Sequence, residues 1–185
     1  MPEIPSKILT ISSKNEEKFL RQKTKDFVFL GKAGAEGAGK ILKKQGSEEL
    51  IRKMRRIMRQ AKGVGLSANQ IGLPFRMFVA EIPDYRGNPK FYAIFNPKIE
   101  IEKEDKKKIP LEEGCLSVPG TYGQVERASR VKLTGFNKAG RSITIRAWGL
   151  QAQVFQHEVE HLDGKLFIDK AKSLHRAITK ESPNP

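Results

Sequence analysis

Gln156-His157-Glu158-Val159-Glu160-His161, preceded by Leu150-Gln151-Ala152-Gln153-Val154-Phe155 and followed by Leu162, is the stretch on which the reading of this chain turns. Leu150, Val154, Phe155 and Leu162 recur at helical spacing between Gly149 and Gly164, which predicts a helix over residues 150–162. Residues four apart stand on one helical face, so the imidazoles of His157 and His161 can bind a single ion. Glu158 is beside them, placed to handle the proton of a water on that ion. A surface helix could also carry histidines among acids, but this run is too apolar for a free-standing polar helix.

Upstream, the texture is that of strands: residues 75–82, 91–95, the alternating Ile99-Glu100-Ile101-Glu102, 130–136 and 142–148. Asn137 to Arg141, with Gly140, fits a hairpin turn between the last two. Nearer the N-terminus, Leu50, Ile51, Met54, Ile57, Met58 and Ala61 form an apolar helical stripe beginning near Ser47, opposite Arg52, Lys53, Arg55, Arg56 and Arg59. Its methionines read as core rather than as ligands. Ser13 followed by Glu16 has the form of a capping box and predicts a short helix over residues 13–25. A basic C-terminal helix is expected over residues 169–178. Strands in one block with helices at the ends predict an α+β fold: antiparallel β-sheets packed around a central helix carrying the HExxH metal motif, with a C-terminal helix. The 185 residues, 38% of them apolar, suit one domain spanning 1–185, with a flexible Gly/Ala/Lys-rich loop at 31–47.

Lys and Arg exceed Asp and Glu by 14, 35 against 21. Such a surplus favours polyanions or simply keeps a surface solvated, and no RNA-binding signature selects the former. No apolar run reaches the ~20 residues of a membrane-spanning helix, and residues 1–14 lack a signal peptide's hydrophobic stretch, so a soluble, cytoplasmic protein is expected, with no membrane partner.

A catalytic metal site of this kind needs a third protein ligand and an open position. A metzincin would place a histidine six residues after His161, where this chain has Phe167. Glu181, the candidate a thermolysin-like enzyme would use, stands beside Ser182-Pro183 in a terminus that supports a ligand poorly. Cys115, the sole cysteine, lies in Glu113-Gly114-Cys115-Leu116-Ser117-Val118-Pro119-Gly120, whose glycines and proline suggest an irregular, tightly turned backbone, and it is the better candidate.

Three segments in order, Gly63-Val64-Gly65-Leu66-Ser67-Ala68-Asn69-Gln70, Glu113 to Ser117 and Gln156 to His161, together resemble the peptide deformylase family. The resemblance runs over roughly residues 47–170, including Asn96-Pro97, the Val125 to Leu133 strand region and Leu162-Asp163-Gly164. It departs at Ser67, where the family commonly has alanine, at Asn69, where proline is frequent, and at Glu160, commonly aspartate. The resemblance implies a hydrolase that removes the formyl group from the N-terminal formylmethionine of newly made polypeptides and releases formate. It implies that Cys115, His157 and His161 bind the metal, expected to be Fe2+ with Zn2+, Ni2+ or Co2+ as substitutes, and that Glu158 carries the proton. Two imidazoles and a thiolate suit zinc and iron alike. The Gln70 side-chain amide and the Leu116 backbone N–H are the implied oxyanion donors.

Gly63 and Gly65 permit close approach of a peptide or simply break the preceding helix, and Leu150 and Val154, on a helical face similar to that of His157, can wall a methionine pocket or serve as ordinary core. The partners expected are formylmethionyl nascent polypeptides and, weakly, the ribosome through Lys170, Lys172, Arg176 and Lys180, with no sequence-specific nucleic acid. Two rivals remain: a metallopeptidase drawing on Glu181, and a nucleic-acid-binding module with a structural metal. The second would need a fourth ligand, for which His175 is the one remaining histidine.

Overall fold

A computed structural model describes residues 7–29, 44–84, 86–102 and 108–177. Its helices are α1 (Lys14–Leu20), α2 (Lys44–Gln60) and α3 (Gly149–Leu162). The strands are β1 (Gly65–Ser67), β2 (Met77–Pro83), β3 (Pro89–Ile101), β4 (Lys108–Cys115), β5 (Val118–Ala128), β6 (Arg130–Phe136), β7 (Ser142–Trp148) and β8 (Leu174–Arg176). They form a five-stranded sheet, ordered β1-β2-β3-β6-β7, and a three-stranded sheet, ordered β4-β5-β8, with every strand pair antiparallel.

The five-stranded sheet is apolar on both faces because two helices cover it. Side chains alternate along a strand. Phe78, Ala80 and Ile82 of β2 and Tyr92 and Ile94 of β3 join Ala152, Phe155, Val159 and Leu162 of α3 in one core. Met77 and Val79 of β2 and Phe95 of β3 face the other way, onto Leu50, Met54, Ile57 and Met58 of α2. Phe155 packs at ring-centroid distances of 5.6 Å from Phe78 and 5.3 Å from Tyr92. The α2 methionines are therefore core, as their stripe implies, and α3 is central, packing against β5 of the smaller sheet as well.

Several local expectations change. Glu16 accepts the Thr10 N–H instead of closing a capping box, and α1 ends at Leu20 because the next residues pair elsewhere: Thr24 N–H donates to Leu162 O at the end of α3. The runs 91–95 and 99–102 belong mostly to one strand, β3, interrupted by a register shift between Phe95 and Lys98. There Asn96, at φ +48°, exchanges two side-chain hydrogen bonds with the Phe27 backbone. Glu113 to Gly120 is more regular than its glycines suggest, since β4 and β5 form a hairpin whose turn is only Leu116-Ser117.

The basic helix expected over 169–178 is absent from its described part; the last α-helix of the described residues is α3. Phe167–Asp169 is a 3-10 turn, and β8 adds to the edge of β5. All three β8 residues are exposed, so a helix here would have had no apolar stripe to bury, whereas edge pairing satisfies the backbone. The stretch 31–47 lies outside the described residues as far as 43, and from Lys44 it is already helix α2.

Glu81 of β2 ties α2 to the sheet, with Oε1 2.5 Å from Arg55 Nη2 and Oε2 2.6 Å from Arg59 Nε. Hydrogen bonds from Arg59 and Arg55, against the cost of burial, hold its carboxyl at about 2 rather than the ordinary 4.5. A carboxyl depressed on folding stabilises fully above its unfolded pKa and loses that contribution as pH falls through the folded value. Glu81→Gln should therefore cost about 1 kcal/mol at pH 7. The difference from wild type should shrink between about pH 4.5 and about pH 2, as urea unfolding across that range will measure.

Candidate metal centre and active site

The second half of α3 carries His157 and His161 on the face turned from the sheet core, their rings 4.9 Å apart. Cys115, the last residue of β4, meets them: its Sγ is 3.0 Å from His161 Nε2, and the three residues' ligand atoms all lie within 4.8 Å of one another. Two imidazoles and a thiol converging so closely fit a divalent ion of the zinc or iron type with a fourth direction left to a non-protein ligand. Burial favours the neutral thiol, but the His161 charge and hydrogen bonds from both histidines hold Cys115 well below the ordinary thiol range. The sulfur is thereby biased toward the thiolate, the form that binds metal.

An ion-pair network orients His157. Its Nδ1 is 2.9 Å from Glu113 Oε2, and Glu113 is gripped by Arg127 through Nε at 2.6 Å and Nη2 at 2.7 Å. Despite burial, the hydrogen bonds from Arg127 and His157 keep the Glu113 carboxyl at about 2, so it is ionised and accepts the Nδ1 proton. That fixes the tautomer and leaves Nε2 for the ion. Burial alone would lower the His157 pKa, but hydrogen bonds with Cys115 and Glu113 raise it well above the usual value. Protonation thus competes with metal at this imidazole. Arg127 also lies 2.7 Å from Glu160 Oε2 on α3, so one buried guanidinium joins the hairpin to the metal-motif helix.

A cavity of about 570 Å³ opens beside the three ligands. Gly63, Gly65, Gln70, Cys115, Leu116, Leu150, Val154, His157 and Glu158 all line it, so nine of the ten site residues named from sequence meet there, and His161 is the tenth, buried behind. Glu158 is buried, which pushes its carboxyl up, against the opposing pull of the two histidines and Ser67. A Cβ on Gly65 would stand 2.3 Å from Glu158 Oε1, and one on Gly63 would stand 2.7 Å from Leu116 Cδ1. At Gly65 the close neighbour is thus the Glu158 carboxylate itself. The Gln70 amide is held at both ends: Oε1 accepts Ser67 N–H at 2.8 Å, while Nε2 is 3.1 Å from Ser117 Oγ and 3.6 Å from Cys115 Sγ. Leu116 occupies the β4–β5 turn, and the following Ser117 N–H points at Cys115 Sγ at 3.3 Å.

Sequence reading missed the residues that support this arrangement. Arg127 lay within the Val125 to Leu133 stretch of the resemblance but received no role. Glu113 lay within the quoted motif but received no role. Asn69, buried beside Gln70, donates from Nδ2 to His161 O at 2.6 Å and to Leu20 O at 3.3 Å, bonds that only a side chain with an N–H donor can make. The N-terminal segment clamps the same turns, Leu9 N–H to Gln70 O at 2.7 Å and Ile11 N–H to Ser117 O at 3.0 Å. One rival ligand lies away from the site, and the other is not among the described residues. His175 is on β8, stacked against Tyr122 at 6.0 Å, and Glu181 lies outside the described residues.

Comparison with known proteins agrees with this geometry. A peptide deformylase of Halothermothrix orenii is 48% identical over 121 residues, 65% of this chain and 75% of that protein. Among solved structures, a probable peptide deformylase from Synechococcus phage S-SSM7 superposes with a TM-score of 0.73 at 33% identity, covering 89% of this chain and 98% of that one. The peptide deformylase of Thermotoga maritima gives 0.72 at 31% identity, over 92% and 99%. A family profile described as polypeptide deformylase matches residues 8–177. The chain belongs to the polypeptide deformylase family, metal-dependent enzymes that remove the formyl group from N-terminal formylmethionine.

Proposed function

We propose that this chain deformylates nascent N-formylmethionyl polypeptides with one ferrous ion held by Cys115, His157 and His161, with Glu158 as the proton carrier. The observation that carries this reading is the convergence of those three ligands within 4.8 Å beside Glu158, at the wall of a peptide-sized cavity. When bound, the ion supplies Lewis acidity, making hydroxide available near neutral pH and polarising the formyl group. Glu158 takes the proton released by the attacking water and returns it to the leaving nitrogen as the C–N bond breaks, so formate departs and a free amino terminus remains. Gln70 Nε2 and the Leu116 N–H donate to the oxygen on which negative charge develops; the two bonds that fix the Gln70 amide mean little reorganisation is needed. Leu150 and Val154 receive the methionine side chain, with Gly63 and Gly65 along the peptide's path.

The same reading makes residues 1–185 one domain and the protein cytoplasmic; no helix among the described residues is long and apolar enough to cross a membrane. Ribosome association through basic surface belongs to it as well. Lys170 pairs with Glu160 and Lys172 with Glu126, which leaves less free charge near β8 than the sequence suggested, while Arg52 and Arg56 are exposed on α2.

Formate release from a short formylmethionyl peptide, measured anaerobically with iron supplied, tests the activity, and cleavage of internal peptide bonds without formate would overturn it in favour of a metallopeptidase. In the same assay Glu158→Gln should keep its metal near the wild-type level and lose at least about 100-fold in turnover. Cys115 should resist iodoacetamide in the metal-loaded protein and react once a chelator removes the ion; equal rates in both states would remove it from the ligand set. Co-sedimentation with ribosomes should be weak at low salt and vanish as salt rises, and no binding at low salt would exclude that partner.

A further inference from the structure

Ser67 ends β1 and is fully buried against α3. Its Oγ lies 2.5 Å from Glu158 Oε2 and 2.9 Å from the Glu158 carbonyl oxygen. A hydroxyl has one proton to donate; of these two acceptors Oε2 is the nearer, and it is also the stronger whenever Glu158 is ionised. The other carboxylate oxygen, Oε1, is turned toward Gly65, at the cavity wall. The two oxygens of Glu158 are therefore not equivalent.

The geometry points to Ser67 as a positioning residue for the proton transfers: its O–H pins Oε2, so that Oε1 is the oxygen presented to the reacting atoms. The last torsion of a glutamate is broad and roughly two-fold, and steric confinement alone leaves the carboxylate free to rock about it. Gly65 supplies the space for Oε1, and Ser67 supplies the bond that keeps it there. Both residues come from the same short strand, so the placement of β1 against α3 sets the carboxylate's direction. The serine also couples the carboxylate to the turn carrying Gln70, since Ser67 N–H binds Gln70 Oε1.

This inference rests on Glu158 being the proton carrier, and the test separates the two. Ser67→Ala, Ser67→Thr, Glu158→Gln and the Ser67→Ala/Glu158→Gln double variant are each assayed for kcat, KM, metal content and Tm on a formylmethionyl tripeptide. Ser67→Ala should lose about tenfold in kcat with KM and metal content unchanged, the size expected for one hydrogen bond to a charged group. Ser67→Thr, which keeps the hydroxyl, should recover most of that loss. In the Glu158→Gln background the alanine should cost nothing further, because the two side chains act as a unit. Wild-type kcat in Ser67→Ala, an undiminished penalty in the double variant, or a kcat loss that tracks lost metal would each overturn the positioning role. Full activity of Glu158→Gln would instead overturn the role proposed for Glu158. Should alanine lower Tm sharply, the comparison of Ser67→Thr with wild type decides, with a kcat below one tenth of wild type counting against the proposal.

Discussion

A guanidinium withdrawn from water holds the metal centre together. Arg127 is only 2% exposed, and a charge so placed is tolerable only when paired and hydrogen-bonded. Its partners are Glu113 at the end of β4 and Glu160 on α3. Because Cys115 follows Glu113 by two residues and His161 follows Glu160 by one, satisfying the arginine also fixes the distance between thiolate and imidazoles. Removing either acid would leave a buried cation short of a partner, so register between hairpin and helix is enforced by the cost of error. Glu113 then passes the same constraint to His157, whose tautomer it sets.

The two faces of α3 have opposite requirements. Phe155, Val159 and Leu162 must be buried against β2 and β3, which gives the helix a rigid seat. His157 and His161 must instead turn toward the smaller sheet, and Glu158 must be desolvated while still reaching the cavity. The helical period reconciles these needs on one element, and the five-stranded sheet, itself backed by α2, keeps the seat from moving. A site built on such elements is more precise than one built on loops. The pieces that do come from turns, Gln70 and Leu116, are braced by the N-terminal segment through Leu9 and Ile11.

The burial of Glu158 is opposed by the groups around it. It disfavours the carboxylate, while the imidazoles and the Ser67 hydroxyl favour it. The net shift is upward, so burial outweighs those neighbours and makes the carboxyl a better proton acceptor than a free one. Gly65 matters here for a steric reason, since any side chain would occupy the space of the carboxylate.

By itself the sequence determined the helix of the metal motif, the α2 stripe, the hairpin strands β6 and β7 and the antiparallel α+β class, because each is written in local periodicity and turn chemistry. It also named Cys115, His157, His161 and Glu158 as candidates from the chemistry their residue types can do, and Gln70 only through resemblance to a family. Only the tertiary structure decided that Arg127 would bridge Glu113 and Glu160, that Asn69 would hold the His161 carbonyl, and that Ser67 would meet Glu158, 91 residues away. Those contacts join segments distant in the chain, and no spacing rule encodes them. The end of the chain was misread for a related reason. Residues 174–176 carry no pattern that excludes a helix, and what makes them a strand is the open edge of β5, which exists only once the hairpin has formed.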